Sequence, residues 1–146
     1  MANVLIAGSD HAGLTLKQEL IGIAAELGYE VRDIGTHTND STDYPDYAHQ
    51  VASAVAGGEG IGLLVCGSGI GMSMAANRHK GVRAAVCTDV FSAHVAREHN
   101  DANVLCMGAR VTGPGLAVDI LNAFLAARFE GGRHERRVNK IDLSEG

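Results

Sequence analysis

The chain has 146 residues, 46% hydrophobic and 20% charged, with only two prolines. By length it is a single domain, residues 1–146, large enough to bury roughly two thirds of its unfolded surface without help from a metal or a disulfide. A formal net charge of −5 excludes a general nucleic-acid binder, which needs a basic footprint. No apolar run approaches the ~18 residues of a membrane span, and the N-terminus enters strand-like sequence without a signal-peptide core, so a cytoplasmic location without a membrane partner is expected. Cys66, Cys87 and Cys106 stand about twenty residues apart with no Cys-x-x-Cys pair, which predicts free thiols and neither a zinc knuckle nor a disulfide framework.

In chain order, residues 3–7 form a first apolar strand, followed by Gly8-Ser9-Asp10-His11-Ala12-Gly13. The helix after it carries Leu16, Leu20, Ile23 or Ala24 and Leu27 on one stripe, with Lys17, Gln18 and Glu26 off it and Gly28 as its stop. Further strands are predicted at 30–34, 61–66, 83–87 and 103–107, and helices at about 45–56, 69–79, 90–99 and 114–128. Two of these helices open near a proline, as first turns often do. After the Gly131-Gly132 break, residues 130–140 read as a sixth, short, basic helix. Strict alternation predicts an α/β protein: a Rossmann-like, doubly wound, five-stranded parallel sheet with helices on both faces and an extra C-terminal helix. The first expected strand order is 2-1-3-4-5, with ligands outside the carboxyl ends of the strands near the switch point between strands 1 and 3.

The residues to weigh are therefore those just after each strand: Ser9, Asp10 and His11; Cys66 with its glycines; Thr88 and Asp89; Gly108, Ala109 and Arg110. Gly8 to Gly13, with Asp33 twenty residues beyond Gly13, resembles a dinucleotide fingerprint but carries Asp10 where the backbone must approach a pyrophosphate. Neither glycine-rich stretch has the Lys-Ser/Thr pair of a P-loop. Cys87 and Cys106 read as small buried hydrophobes. Cys66 differs, because Gly67, Gly69 and Gly71 let backbone N–H groups face the sulfur at a helix start, an environment that favours a thiolate and stabilises a neighbouring oxyanion. Such a thiolate could be nucleophile or proton acceptor, and either His11 or His99 could pair with it. His94 and His99 miss the i, i+4 spacing of two metal ligands on one helical face, there is no His-Glu-x-x-His, and His37, His49 and His79 read as exposed polar side chains. No metal is expected. Arg133 and Arg137 stand one helical turn apart, as a phosphate clamp would.

Seven stretches in order carry a resemblance: Gly8-Ser9-Asp10-His11-Ala12-Gly13, Thr42-Asp43-Tyr44-Pro45, Cys66-Gly67-Ser68-Gly69-Ile70-Gly71, Ala75-Ala76-Asn77, His99-Asn100-Asp101-Ala102-Asn103, Gly108-Ala109-Arg110 and Glu130-Gly131-Gly132-Arg133-His134. With them the chain resembles the type-B family of sugar-phosphate isomerases, nearly end to end. The resemblance implies interconversion of an aldose and a ketose phosphate without metal or organic cofactor, in a homodimer or tetramer whose sites combine residues of two subunits. It makes Cys66 the base between C1 and C2, with Ser68 assisting and His99 helping to open the furanose ring. The amides of Gly67, Ser68, Gly69, Ile70 and Gly71 would hold the enediolate. Asp10, His11 and Asn100 would meet sugar oxygens, Arg110, Arg133 and Arg137 the phosphate, and Tyr44 the substrate. Relatives without the thiol use a glutamate at the position of Met72, so the resemblance assigns the base to Cys66. Ribose 5-phosphate is the expected substrate. Allose, galactose or tetrose phosphates are the alternatives within the family, and a nucleotide- or FMN-binding module is the alternative outside it.

Overall fold

The structure is a computed structural model that describes residues 3–143. The chain alternates strictly. Strand β1 (Val4–Ser9) leads through a 3-10 turn (His11–Gly13) into α1 (Leu14–Glu26), followed by β2 (Glu30–Asp33) and α2 (Tyr44–Ala56). β3 (Ile61–Cys66), α3 (Ile70–Ala76), β4 (Ala84–Val86), α4 (Val90–Glu98), β5 (Val104–Gly108), α5 (Pro114–Ala126) and α6 (Arg133–Val138) complete it. All strand pairs are parallel. Side chains on one face of the strands, Leu5, Ala7, Leu63, Val65, Leu105 and Met107, pack with α1, α4 and α5. Those on the other, Ile6, Leu64, Cys66, Val104 and Cys106, pack with α2 and α3. The alternation is the period of two expected of a strand, and both faces are covered, which is why these strands read as continuously apolar.

The expected ranges hold to within two residues except at α3 and α6. α3 stops at Ala76 because the Asn77 carboxamide turns to the edge strand: Nδ2 donates to Ala84 O at 3.0 Å and Oδ1 accepts from Ala84 N–H at 2.7 Å. α6 begins only at Arg133, since Gly131 and Gly132 take φ of +69° and +56°, outside the helical region.

The strand order is β2-β1-β3-β5-β4, not the expected 2-1-3-4-5. A strand inside the sheet needs bulk on both faces, which Val104, Leu105, Cys106 and Met107 supply, and all of β5 is buried. Ala84-Ala85-Val86 cannot, and β4 takes the edge, only partly buried.

Two side chains of the first helix also depart from the pattern. Leu27 is 54% exposed because the helix closes with a glycine turn: Gly28 N–H donates to Ala25 O at 3.0 Å and Tyr29 N–H to Ala24 O at 3.1 Å. Tyr29 packs on the core in its place. Lys17, expected on the polar face, is fully buried. Its Nζ donates to Asp33 Oδ1 at 2.6 Å and to Thr36 O at 2.7 Å, so the charge enters the protein with an acceptor and a counter-charge waiting for it. His37 and His49 are exposed as expected and His79 is partly so. His49 Nδ1 and His79 Nε2 share a hydrogen bond of 2.8 Å. No helix among the described residues is long and apolar enough to cross a membrane.

Candidate active site

Because β3 lies between β1 and β5, the carboxyl ends of these three strands stand side by side. After β1, the Asp10 carboxylate accepts the Gly13 N–H at 3.1 Å and caps the 3-10 turn. Gly13 leaves no room for a Cβ against Val65 O, so the turn is pressed onto β3. His11 is locked in a two-bond ring with Thr42: His11 N–H donates to Thr42 Oγ1 at 3.1 Å, and Thr42 N–H donates to His11 Nδ1 at 3.1 Å. With Nδ1 accepting, the neutral ring carries its proton on Nε2.

At the end of β3, Cys66 is 4% exposed and its Sγ accepts the Gly69 N–H at 3.1 Å. An N–H aimed at the sulfur stabilises negative charge there. Gly69 makes this possible twice over, with φ of +80° and with the backbone of Met107 2.9 Å from where a Cβ would stand. The Ile70 N–H donates to Ser68 Oγ at 3.2 Å. Two of the amides expected to face an anion are thus engaged inside the loop itself.

From β5, Ala109 N–H donates to Cys66 O at 2.8 Å and Arg110 N–H to Gly67 O at 3.1 Å. This strap lays the Arg110 guanidinium over Gly67, with Nη1 3.3 Å from the position of a Cβ. It follows from the β3–β5 pairing. The same pairing sends β4 to the edge, and Thr88 and Asp89 take no part in the cleft. From the opposite side Tyr44, the first residue of α2, lays its ring against Gly71, where a Cβ would leave it no room.

The result is an open cleft of about 610 Å³ lined by Asp10, Tyr44, Cys66, Gly67, Ser68, Ile70, Gly71, Met74, Arg110 and Val111. The volume suits a small polar ligand. Met74 and Val111 were not expected. They and Ile70 are 64%, 60% and 51% exposed and form an apolar rim.

His11, Gly69, His99, Asn100, Arg133 and Arg137 do not line this cleft, though His11 and Gly69 belong to the two loops that border it. His99 caps the C-terminus of α4, and its ring stacks on His134 with centroids 4.4 Å apart and planes 11° apart. Glu130 Oε1 lies 3.5 Å from His99 Nε2 and 3.8 Å from His134 Nε2. Arg133 and Arg137 share the exposed surface of α6. Glu130 and His134 had signalled themselves only as members of the Glu130–His134 motif.

The other two thiols are packing residues. Burial, with Asp89 adding to it, pushes the Cys87 pKa up to about 11, and burial pushes the Cys106 thiol still further up. The acid that could have held a nucleotide ribose, Asp33, is held by Lys17 and the Gly35 N–H.

The ribose/galactose isomerase family matches residues 5–141. The chain belongs to this family. It is 52% identical to ribose-5-phosphate isomerase B of Escherichia coli over 139 residues, 94% of this chain and 93% of that one. The structure of Clostridium thermocellum ribose-5-phosphate isomerase B superposes with a TM-score of 0.93 at 52% identity, covering 94% of each chain. The Mycoplasma genitalium ribose-5-phosphate isomerase B, solved with bound ribulose-5-phosphate, superposes with a TM-score of 0.93 at 42% identity, covering 97% of this chain and 95% of that one. A nucleotide- or FMN-binding module is thereby set aside.

Proposed function

We propose that this chain interconverts ribose 5-phosphate and ribulose 5-phosphate, with Cys66 as the base. The observation that carries this is a sulfur at the floor of an open cleft with an N–H aimed at it, in a chain half identical to a ribose-5-phosphate isomerase B.

In the open-chain aldose, Cys66 takes the proton from C2 and the electrons move toward the carbonyl. Charge then develops on the enediolate oxygens, where preorganised N–H groups are worth most. The loop from Gly67 to Gly71 supplies those not already turned to Cys66 Sγ and Ser68 Oγ. The Ser68 hydroxyl accepts from Ile70 N–H, which leaves its own proton free to reach an enediolate oxygen. A proton passes from O2 to O1, and return of the carbon-bound proton at C1 then completes the ketose. Asp10 and His11 meet sugar oxygens, His11 through the Nε2–H that its lock with Thr42 fixes, and Arg110 meets the phosphate. None of these steps calls for a metal or an organic cofactor.

Ring opening by His99, sugar contact by Asn100 and phosphate binding by Arg133 and Arg137 come from a second subunit. Two observations support that division. These four residues stand outside the cleft of their own chain, and the cleft has the exposed apolar rim of Ile70, Met74 and Val111 on which a second copy can seat. A homodimer is the minimal assembly, and the three free thiols suit a reducing cytoplasm.

A substrate panel tests the reading: ribose 5-phosphate should be turned over with a higher kcat/KM than allose 6-phosphate, galactose 6-phosphate or a tetrose phosphate. A reversed preference moves the substrate. Mixing Cys66→Ala and His99→Asn proteins should restore activity in hybrid dimers, and no recovery would contradict the shared site.

A further inference from the structure

We infer that His99, Glu130 and His134 form a binding site for one divalent transition-metal ion, zinc above all, and that its occupation switches the isomerase off. The second half rests on the assignment of ring opening to His99. The first half does not.

One ligand atom from each of the three residues lies within 4.8 Å of the other two. The Glu130 carboxylate stands between the two imidazoles at 3.5 Å and 3.8 Å, beyond the ~2.7–3.2 Å of an N–H···O hydrogen bond. The contrast with the neighbouring pair is direct: His94 and Glu98, four residues apart as Glu130 and His134 are, close to 2.8 Å. At Glu130 the carboxylate is shared between two nitrogens and bonded well to neither. Ligand atoms on a tetrahedral zinc, with bonds of ~2.0–2.1 Å, stand about 3.4 Å apart, so the carboxylate is already near its place, and the exposed His99 ring must turn out of its stack on His134 to aim both Nε2 lone pairs at one ion.

The backbone holds them for it. Glu130 N–H donates to Glu98 O at 3.0 Å, tying the start of the C-terminal segment to the end of α4 beside His99. The turn at Gly131 and Gly132, both at positive φ, then folds α6 back so that His134 stacks on His99. The His99 and Glu130 side chains are 42% and 47% exposed and free to adjust, whereas His134, at 13%, is fixed. Two imidazoles and one carboxylate, with a fourth position open to water, suit zinc and its neighbours, while hard magnesium and calcium prefer oxygen alone. Arg133, Arg136 and Arg137 on α6 are exposed, so their repulsion is screened by water and salt. Bound metal takes the Nε2 lone pair of His99, the one a proton transfer at the sugar ring needs.

Cobalt(II) reports the site without turnover. Titrating the full-length Cys66→Ser protein, which removes the competing thiolate, should produce four-coordinate d–d bands that saturate at one equivalent per chain, and zinc should displace them. Glu130→Gln and His134→Ala, each checked for native circular dichroism, should weaken binding at least about tenfold. Bands that vanish when Cys66 is replaced, or that both ligand variants leave unchanged, would overturn the site. In the wild-type protein, zinc should abolish isomerisation, a chelator should restore it, and His134→Ala should resist it. Stoichiometric zinc at the triad with an undiminished rate would keep the metal site and refute ring opening by His99.

Discussion

Gly108→Ala places one methyl group behind the Cys66 loop, against the backbone of Ser68 and not in the cleft itself. Its Cβ would stand 2.6 Å from both Cα and C of Ser68 and 2.7 Å from Ser68 O. These are backbone atoms, so no side chain can swing aside. β5 cannot yield either, because it is buried along its whole length inside the sheet. The loop must therefore retreat by about 0.8 Å to reach ordinary contact at 3.4 Å. Misplacement on that scale between a base and a reacting carbon costs up to about a hundredfold in rate, and overpacking costs about 1–3 kcal/mol of stability. The variant should fold, with kcat for ribulose 5-phosphate formation reduced about 10- to 100-fold and KM changed far less. Gly22→Ala is the control: nothing lies within 4 Å of its Cβ, so it should gain about 0.4–1 kcal/mol with unaltered kinetics. A wild-type kcat for Gly108→Ala, or a loss that merely follows its unfolded fraction, would refute the reasoning.

Lys17→Met should lower stability in urea by about 2–4 kcal/mol, below the full cost of breaking a buried pair because Asp33 is 22% exposed. Adding Asp33→Asn should return part of the loss, and a double variant as unstable as the sum of the two would count against the pairing. Stability should also fall in alkali. The Cys87 pKa is raised from 9.0 to about 11, so its contribution is complete below pH 9 and is lost as pH climbs through that window, where the unfolded chain ionises first. Melting temperatures from pH 8 to 11 should decline less steeply for Cys87→Ala; identical slopes would contradict the assignment.

The alternation of strands and helices was legible because both faces of the sheet are covered and each apolar run stands alone between turn residues. The strand order was not. As letters, residues 83–87 and 103–107 are about equally apolar, and only their bulk, Ala84-Ala85-Val86 against Val104-Leu105-Cys106-Met107, separates an edge strand from a central one. Lys17 looked like a surface residue because its partners, Asp33 and Thr36, are 16 and 19 positions away. The cleft itself was readable from local motifs, since Asp10, Cys66 and Arg110 each stand at the carboxyl end of a strand or within two residues of it. Its other half was not, because the division of the site between two subunits that we propose for His99 and the arginines would leave no trace in spacing. The meeting of His99 with Glu130 and His134 depends on one turn, Gly131-Gly132, and one backbone hydrogen bond to Glu98, which only the fold brings together.

The central claim is that Cys66 moves the proton. Turnover of ribose 5-phosphate by wild-type and Cys66→Ala proteins of equal concentration and matched melting temperature tests it most directly, with solvent deuterium incorporation at C1 of the ketose followed in parallel. The account predicts that the variant folds and loses nearly all isomerisation and exchange together. Retention of either at a rate near that of the wild type would contradict it.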